Sequence, residues 1–234
     1  MGKDKLRRFQ ELSQFDRVFQ PRMNEISGKE YHLKGKWKKE VFHNQNPLVL
    51  ELGCGKGEYT IGMARHFPEK NFIGVDIKGA RMWKGARTSH EEKILNASFL
   101  RTRIELISSF FAPDEVDEIW IAFPDPQPTE RRRKKRLTGT EFLQKYQEFL
   151  TDGGIIHLKT DSDLLYDYTL NLLKNNKLEI LFSTSDLYGS EIVDDILGIK
   201  TFYEQKFLET GCNINYLKFK LKKEIPLHEI REKE

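Results

Sequence analysis

The feature that most constrains the fold is a regular alternation, from residue 47 onward, of short apolar runs and longer segments with helical spacing. The apolar runs predict buried strands at 47–53, 71–76, 98–102, 116–123 and 154–160. The intervening and following segments predict helices at 58–67, 78–95, 140–150 and 163–174. Strands that alternate with helices in this way form right-handed βαβ units, so the sheet is expected to be mostly parallel.

The two ends of the chain have different patterns. The runs at 177–184 and 213–221 predict two strands separated by a more polar stretch, which can close the sheet with an antiparallel edge. Residues 1–46 contain many charges and no apolar run, so we predict a partly ordered basic arm with helical content around 6–19. The predicted fold class is α/β: one Rossmann-like, doubly wound, mostly parallel domain at 47–234, preceded by that arm.

Composition excludes several classes of protein. Charged residues make up 32% and hydrophobic residues 38%, which is polar but outside the disordered class. Cys54, Cys212 and the six histidines do not have the spacing of a disulfide framework or a metal site, so no metal is expected. No run has the length or character of a signal peptide or membrane span, so a cytoplasmic protein without a membrane partner is expected. Whether it is a monomer or a homodimer stays open.

A glycine-rich loop follows the first predicted strand. Glu51 precedes Gly53, Gly55 and Gly57, and a helix begins directly afterwards, while Asp76 ends the second strand. Ligands of doubly wound sheets bind beyond the carboxyl ends of the strands, where glycines allow close backbone approach. A carboxylate at the second strand end is typical of a group that binds ribose hydroxyls. These residues predict a nucleoside-containing cofactor.

The identity of that cofactor follows from the acid beside the loop. NAD places its pyrophosphate on a similar loop, but the spacing here is G-x-G-x-G rather than G-x-G-x-x-G. The Glu51 carboxylate would repel a pyrophosphate, whereas it suits the ammonium of an amino-acid moiety. S-adenosylmethionine has that ammonium and no phosphate, and is therefore the predicted cofactor.

A proline-rich loop and a basic run follow the fourth predicted strand. Three prolines between Phe123 and Pro128 stiffen the loop and hold Asp125 at the strand end, beside the predicted cofactor. The net charge is only +3, yet six cations follow without interruption at Arg131, Arg132, Arg133, Lys134, Lys135 and Arg136. A nearly neutral protein with one concentrated basic patch is typical of a polyanion binder.

Five segments together resemble one family. ELGCGKGEYT, GVDIKGARM, IWIAFPDPQP with its basic tail, GGIIHLKTD and TFYEQKF occur in the order found in the tRNA (guanine-N7)-methyltransferases. The resemblance extends from about Glu51 to Phe207. It implies a class I methyltransferase fold and transfer of a methyl group from S-adenosylmethionine to guanine N7 in tRNA, with the variable loop as the expected target.

The resemblance also implies residue roles. The expected cofactor contacts are Glu51, Gly53, Gly55, Asp76, Arg103 and Asp125. Asp125 is also the candidate catalytic residue, at the junction of cofactor and target base. The expected guanosine contacts are Asp161, Thr201, Tyr203 and Glu204, and residues 131–136 are expected to contact the RNA backbone. Arg103 departs from the family, which usually has Asp or Asn there for the adenine. We expect either that Arg103 stacks on the ring or that a backbone group replaces the missing Asp or Asn side chain.

The chemistry of guanine N7 constrains the mechanism. Its lone pair is available without proton removal, so the enzyme chiefly aligns donor and acceptor and excludes water. Asp125 and Asp161 are therefore expected to act by positioning and electrostatics more than as general bases. Two alternatives stay open: a methyltransferase acting on an exocyclic amine or small molecule, because FPDP resembles the Asp-Pro-Pro-aromatic signature, and a non-catalytic RNA-binding module.

Overall fold

A computed structural model describes residues 3–230, and its centre is one eight-stranded sheet. The strands are β1 Val18–Phe19, β2 Leu48–Leu52, β3 Asn71–Asp76, β4 Ala97–Arg101, β5 Val116–Ala122, β6 Leu150–Thr160, β7 Ile180–Thr184 and β8 Asn215–Leu221. Their order is β1-β4-β3-β2-β5-β6-β8-β7. All neighbours from β1 to β6 pair in parallel, whereas β8 is antiparallel to both β6 and β7. The predicted fold class, including its antiparallel C-terminal edge, is confirmed.

The described part of the chain has seven α-helices around this sheet. They are α1 Lys3–Leu12, α2 Met23–Ile26, α3 Glu58–His66, α4 Gly79–Glu91, α5 Thr140–Gln147, α6 Asp163–Asn175 and α7 Phe202–Glu209. A π-helical turn at Trp37–Val41 and 3₁₀ turns at Ile104–Ser109 and Glu130–Lys135 complete the helical segments. Within residues 3–230 no helix is long and apolar enough to cross a membrane.

Packing on both faces of the sheet explains the continuous apolar strands. Every residue of β2 is buried, and alternate residues enter different clusters: Leu48, Leu50 and Leu52 join one, and Val49 joins the other. Parallel strands covered on both faces have this composition because neither face meets water. The carboxyl ends of the central strands are thereby held together at one edge.

The N-terminal segment contributes to the same structure. β1 extends the sheet by pairing with β4, and Trp37 is fully buried with its Nε1 donating to the Phe110 carbonyl at 2.8 Å. α1 packs on α4, where Trp83 Nε1 donates to Glu11 at 2.6 Å. Side chains from both sides of the predicted boundary at residue 46 therefore pack in one core.

Three local predictions are corrected. α4 ends at Glu91 rather than 95, and Lys93 after it has a φ of 53°, which stops the helix. The loop at 124–138 contains the 3₁₀ turn Glu130–Lys135. The polar stretch before β8 contains α7, whose capping box of Thr201 and Glu204 is a sequence signal for a helix start.

Candidate active site

The carboxyl ends of β2, β3, β5 and β6 meet at one edge of the sheet because these strands are parallel neighbours. The glycine loop follows β2, Asp76 ends β3, Asp125 follows β5 and Asp161 follows β6. The structure thus brings these predicted site residues to the same edge. Among residues 3–230, no group of three or more His, Cys, Asp or Glu side chains is arranged to hold a metal ion.

The glycine loop adopts a conformation that needs glycine. Gly53, Gly55 and Gly57 have φ values of 81°, 53° and 73°. A Cβ on Gly53 would meet no atom within 4 Å, so open space lies above the loop, whereas one on Gly57 would meet the Phe99 ring at 2.7 Å. The Gly55 N–H donates to Asp76 Oδ2 at 2.9 Å, which fixes the carboxylate beside the loop. The loop and Asp76 form one preorganised unit.

Glu51 lies beneath the loop and is 4% exposed. Its Oε2 accepts hydrogen bonds from the Thr60 N–H at 2.7 Å and from the Thr60 hydroxyl, and so holds the first turn of α3. Burial raises the pKa of Glu51 to about 8, against the opposing effect of the Thr60 hydrogen bonds. A cation bound nearby would favour the ionised form, so the geometry is consistent with the predicted ammonium contact, which stays a prediction.

Arg103 lies beyond the end of β4 and is exposed. It lines a cavity of about 380 Å³ together with Ile77, which follows Asp76, and with Met23 of α2. None of the residues that line this cavity is acidic, so the lining supplies no carboxylate to the adenine amino group.

The Asp125 loop is held in a strained conformation. Phe123 and Gln127 have φ values of 51° and 48°, which non-glycine residues rarely adopt. Asp125 is exposed, and its Oδ1 accepts from the Gln127 N–H at 3.1 Å. The Phe123 N–H donates to the Lys159 carbonyl at 2.8 Å, and Arg136 Nε donates to the Gln127 carbonyl at 3.3 Å. These contacts fix the loop and present the Asp125 carboxylate to solvent at the end of β5.

Asp161 opens onto a cavity of about 550 Å³. Asp163, Asp167 and Ser185 also line it, together with the turn 211–213. Burial raises the pKa of Asp161, the nearby Asp163 adds to the increase, and a backbone hydrogen bond opposes it. A cavity lined by carboxyl groups is suited to a ligand that presents several N–H donors.

A buried ion pair anchors α7 beside this cavity. Lys159 of β6 and Glu204 of α7 are both fully buried, with Nζ and Oε1 2.6 Å apart. Lys159 Nζ also donates to Tyr59 of α3 at 2.9 Å and to the Leu197 carbonyl at 2.6 Å. Burial lowers the pKa of Lys159 although Glu204 opposes the shift. One ammonium thus connects α3, β6 and the segment that leads into α7.

Two of the predicted guanosine contacts, Thr201 and Glu204, take part in the contacts that hold α7. Glu204 Oε1 accepts from Lys159 and from the Tyr188 hydroxyl, while Oε2 faces the Thr201 N–H at 3.3 Å. The Thr201 hydroxyl accepts from the Glu204 N–H at 3.1 Å. Both side chains are buried, and these contacts fix the start of α7; their predicted contact with guanosine stays a prediction.

Two exposed aromatic rings follow Thr201 on α7. Phe202 and Tyr203 are 39% and 41% exposed. Lys56 of the glycine loop lies over the Phe202 ring at 3.5 Å, and Arg81 of α4 lies over the Tyr203 ring at 5.5 Å. The predicted contact Tyr203 is therefore accessible, and α7 lies against the cofactor loop.

The six residues of the basic run differ in how far they are buried. Arg131, Arg132, Lys134 and Lys135 are exposed, and Arg133 is half-buried, with Nη1 donating to the Ile230 carbonyl at 3.0 Å. Arg136 is fully buried, with its guanidinium over the Tyr168 ring at 4.3 Å. The expectation that all six contact RNA is corrected for Arg136, which instead holds the Asp125 loop through Gln127.

Sequence reasoning missed Lys159, Lys56, Arg81 and Met23 at this edge. Lys159 carried a signal, because a lysine inside a buried strand needs a buried partner. His157 in the same strand is a core histidine, as predicted: its Nδ1 lies 2.7 Å from the Tyr216 hydroxyl and its ring stacks on Trp120. Lys56, Arg81 and Met23 carried no such signal.

Comparison with known proteins identifies relatives over most of the chain. Residues 45–217 match the family model described as "Putative methyltransferase". The chain is 52% identical to a tRNA (guanine-N(7)-)-methyltransferase of Bacteroides fragilis, over 98% of this chain and 90% of the relative. It is 53% identical to the protein of that name from Christiangramia forsetii, over 94% of this chain and 99% of the relative.

Solved structures support the fold. The 16S rRNA methyltransferase KamB aligns with a TM-score of 0.60 at 12% identity, over 79% of this chain and 92% of that chain. The 16S rRNA (adenine(1408)-N(1))-methyltransferase of Catenulisporales acidiphilia, solved with its cosubstrate SAM, aligns with a TM-score of 0.53 at 13% identity, over 80% and 91%. At such identities the likeness concerns the architecture alone.

Proposed function

Because this chain belongs to the family of tRNA (guanine-N(7)-)-methyltransferases, we propose that it transfers a methyl group from S-adenosylmethionine to N7 of a guanine in tRNA. The product is 7-methylguanosine, which we expect in the variable loop. Because the substrate is tRNA, we expect the reaction to take place in the cytoplasm. The observation that carries the proposal is the convergence of the glycine loop, Asp125 and Asp161 at one edge of the sheet.

The residues at this edge fit the cofactor. The loop leaves open space above Gly53, and Asp76 is held beside it by the Gly55 N–H at 2.9 Å, as required for a carboxylate that binds ribose hydroxyls. Glu51 supplies a buried carboxyl for the ammonium of the methionine part. When bound, S-adenosylmethionine supplies a methyl group activated by its sulfonium.

Asp125 acts by position and charge. Guanine N7 needs no proton removed, so a base is not required there. N7 methylation leaves a positive charge on the ring, which the exposed carboxylate at the end of β5 stabilises as it develops. The rigid loop holds this carboxylate in place before the substrate arrives, so little reorganisation is needed.

Asp161 and Tyr203 bind the target base. The Watson–Crick edge of guanine presents N–H donors at N1 and N2, and carboxyl oxygens in the cavity beside Asp161 accept them. A half-exposed Tyr203 provides a face on which the base stacks. Lys159 and Glu204 hold α7 so that Tyr203 stays at this edge.

The exposed cations of the basic run bind the RNA backbone. Arg131, Arg132, Lys134 and Lys135 lie directly after the Asp125 loop, so phosphate contacts there orient the target nucleotide toward the site. These contacts carry no sequence information. Recognition of the tRNA therefore depends on its shape, with the target base turned outward.

Methylation assays with nucleoside analysis test the proposal. Unmodified tRNA is incubated with S-adenosylmethionine carrying a labelled methyl group, and the labelled nucleoside is identified after digestion. We expect 7-methylguanosine from the wild type and a rate lower by about 10²–10³ in Asp125→Ala, the loss typical of removing one electrostatic group. Asp152→Ala, at an exposed position near the start of β6 and away from its carboxyl end, is the matched control and is expected to retain activity.

Other outcomes would contradict the proposal. A different labelled nucleoside, or equal turnover on free guanosine and folded tRNA, would favour a methyltransferase acting on an exocyclic amine or small molecule. RNA binding without S-adenosylmethionine binding would indicate that the chain is a non-catalytic RNA-binding protein.

A further inference from the structure

The cavity beside Arg103 lies where the cofactor's adenosine part is expected. Its lining includes Ile77, which follows Asp76 at the end of β3, and Thr102 and Arg103, which follow β4. The Thr102 N–H donates to the Asp76 backbone carbonyl at 3.2 Å, so the cavity lies next to the end of β3, where the residue proposed to bind the ribose stands. The base of a nucleoside held at Asp76 lies within reach of this cavity.

The opposite wall comes from the N-terminal segment. Gln20, Pro21, Met23 and Ile26 line the cavity, although they precede the glycine loop by about thirty residues. β1 pairs with β4 through Phe19 and Leu100, which places Gln20 beside Arg101. This wall is therefore a fixed part of the sheet edge.

One guanidinium joins the two walls. Arg101 Nη1 donates to Gln20 Oε1 at 3.2 Å, and its Nε donates to the Ile77 carbonyl at 3.3 Å. Phe9 of α1 lies against the same guanidinium at 4.6 Å. These contacts keep the N-terminal segment and the loop after β3 at a fixed separation on either side of the cavity.

The cavity is lined by exposed apolar side chains. Met23 and Ile77 are 57% and 48% exposed, so both present apolar surface at the cavity. A thioether and a branched alkyl group are suited to the flat face of an aromatic ring. The cavity volume of about 380 Å³ is sufficient for one purine.

Arg103 determines which groups of adenine can form hydrogen bonds at the polar edge of the cavity. A guanidinium donates hydrogen bonds and accepts none, so it can pair with a ring nitrogen of adenine but not with the exocyclic amino group. An Asp or Asn at this position would accept from that amino group. Because Arg103 offers no such acceptor, apolar contact with the faces of the ring supplies a larger share of the free energy of adenine binding than it would with Asp or Asn at this position.

We propose that α2 forms the outer wall of the adenine subsite, with Met23 and Ile77 contacting the ring and Arg103 lying at its edge. The proposal rests on S-adenosylmethionine being the cofactor, as proposed above. It gives the N-terminal segment a role in cofactor binding that does not depend on RNA.

Calorimetry with S-adenosylhomocysteine and no RNA tests this. In Met23→Ala the Kd is expected to rise about tenfold, because roughly two methylene groups of contact are lost. Met23→Leu restores most of the affinity, and Leu95→Ala is the matched control. Leu95 is 65% exposed and precedes β4, away from its carboxyl end, so its truncation leaves the Kd unchanged. Adenosine alone is expected to lose affinity by the same factor in Met23→Ala.

Two results would overturn the subsite. A Kd in Met23→Ala within about twofold of wild type, or an equal loss in Leu95→Ala, shows that α2 does not contact the adenine. Failure of the wild type to bind S-adenosylhomocysteine would instead reject the cofactor assignment itself. Failure to methylate tRNA would leave this measurement unaffected, since no RNA is present.

Discussion

The cofactor side and the base side of the site are held by different kinds of contact. On the cofactor side, the Gly55 N–H binds Asp76 across 21 residues and Thr60 binds Glu51 across nine. On the base side, Lys159 connects to Tyr59 across 100 residues and to Leu197 across 38. The first is a loop fixed mainly by backbone geometry, whereas the second is a helix held in place by one buried charge.

This difference has consequences for stability and for mutation. A backbone-defined loop tolerates side-chain changes nearby as long as its glycines remain. A buried ion pair depends on both partners, because removing one leaves the other charged and unpaired in a low-dielectric interior. Breaking the ion pair on the base side is therefore expected to affect the stability of the fold most, whereas replacing Asp76 on the cofactor side is expected to affect mainly cofactor affinity.

The largest expected effect comes from breaking the buried pair. Lys159→Met or Glu204→Met alone should destabilise the protein by about 3–5 kcal/mol, because an uncompensated charged group stays buried. That corresponds to a fall in Tm of about 10 °C for a chain of this size. The double variant Lys159→Met/Glu204→Met should recover most of the loss, as measured by urea unfolding. Additive losses in the double variant would contradict the coupling.

The next effect concerns cofactor affinity. Asp76→Ala should raise the Kd for S-adenosylmethionine by about 10–100-fold, because a charged hydrogen-bonding group contributes about 1.5–3 kcal/mol. The KM for tRNA should change little, because the Asp76 side chain makes none of the contacts described above that hold α7. Asp163→Ala serves as a control on the base side and should leave cofactor binding unchanged. Equal losses in both variants would mean that the two sides are not separate.

A separate effect, on stability rather than on binding, is expected in its pH dependence. The pKa of Glu51 is raised to about 8 in the folded protein, above its usual 4.5, so the folded state retains a proton that the unfolded state releases. This contribution to stability is fully present below pH 4.5 and is lost as the pH rises through 8.

Glu51→Gln, which imitates the protonated form, isolates that contribution. The free energy of unfolding of the wild type, minus that of the variant, should fall between pH 4.5 and 8. Chemical denaturation at several pH values measures the difference. A constant difference across this range would show that the Glu51 pKa is not raised.

The smallest effect per residue is expected on the basic run. Lys134→Ala should weaken tRNA binding modestly and reduce the slope of log K against log salt by about 0.7–0.9, the change expected for one phosphate contact. Arg132→Ala should act alike. Lys174→Ala, an exposed lysine on α6, is the control and should leave the slope unchanged. An unchanged slope in Lys134→Ala would exclude this surface as the RNA contact.

The difference between local and long-range contacts explains which features the sequence could predict. The order of strands and helices, the glycine loop and Asp76 were predicted because their causes are local: apolar runs, φ values that need glycine, and strand ends. The ion pair of Glu204 was not predicted, because nothing in TFYE shows that Lys159, on a distant strand, contacts its carboxylate. The burial of Arg136 depends likewise on Tyr168, which lies two helical elements later.

The N-terminal segment is a second region whose structure the sequence did not predict. Its many charges predict an arm, but Trp37 and β1 bind it to the sheet through contacts that become visible only in three dimensions. Met23 gave no sign of a role in binding, because a lone methionine in a polar segment has no periodic or spacing signal. Long-range packing, rather than local propensity, determines these positions.

Cleavage mapping of methylated tRNA tests the central claim most directly. Guanine methylated at N7 is labile, so reduction and aniline treatment cut the RNA chain at that nucleotide and report both the atom and the position. For the wild type we predict cleavage at one guanine of the variable loop, with cleavage greatly reduced after reaction with Asp125→Ala. Methyl incorporation without any cleavage would contradict the account, because it would place the methyl group on an atom other than N7.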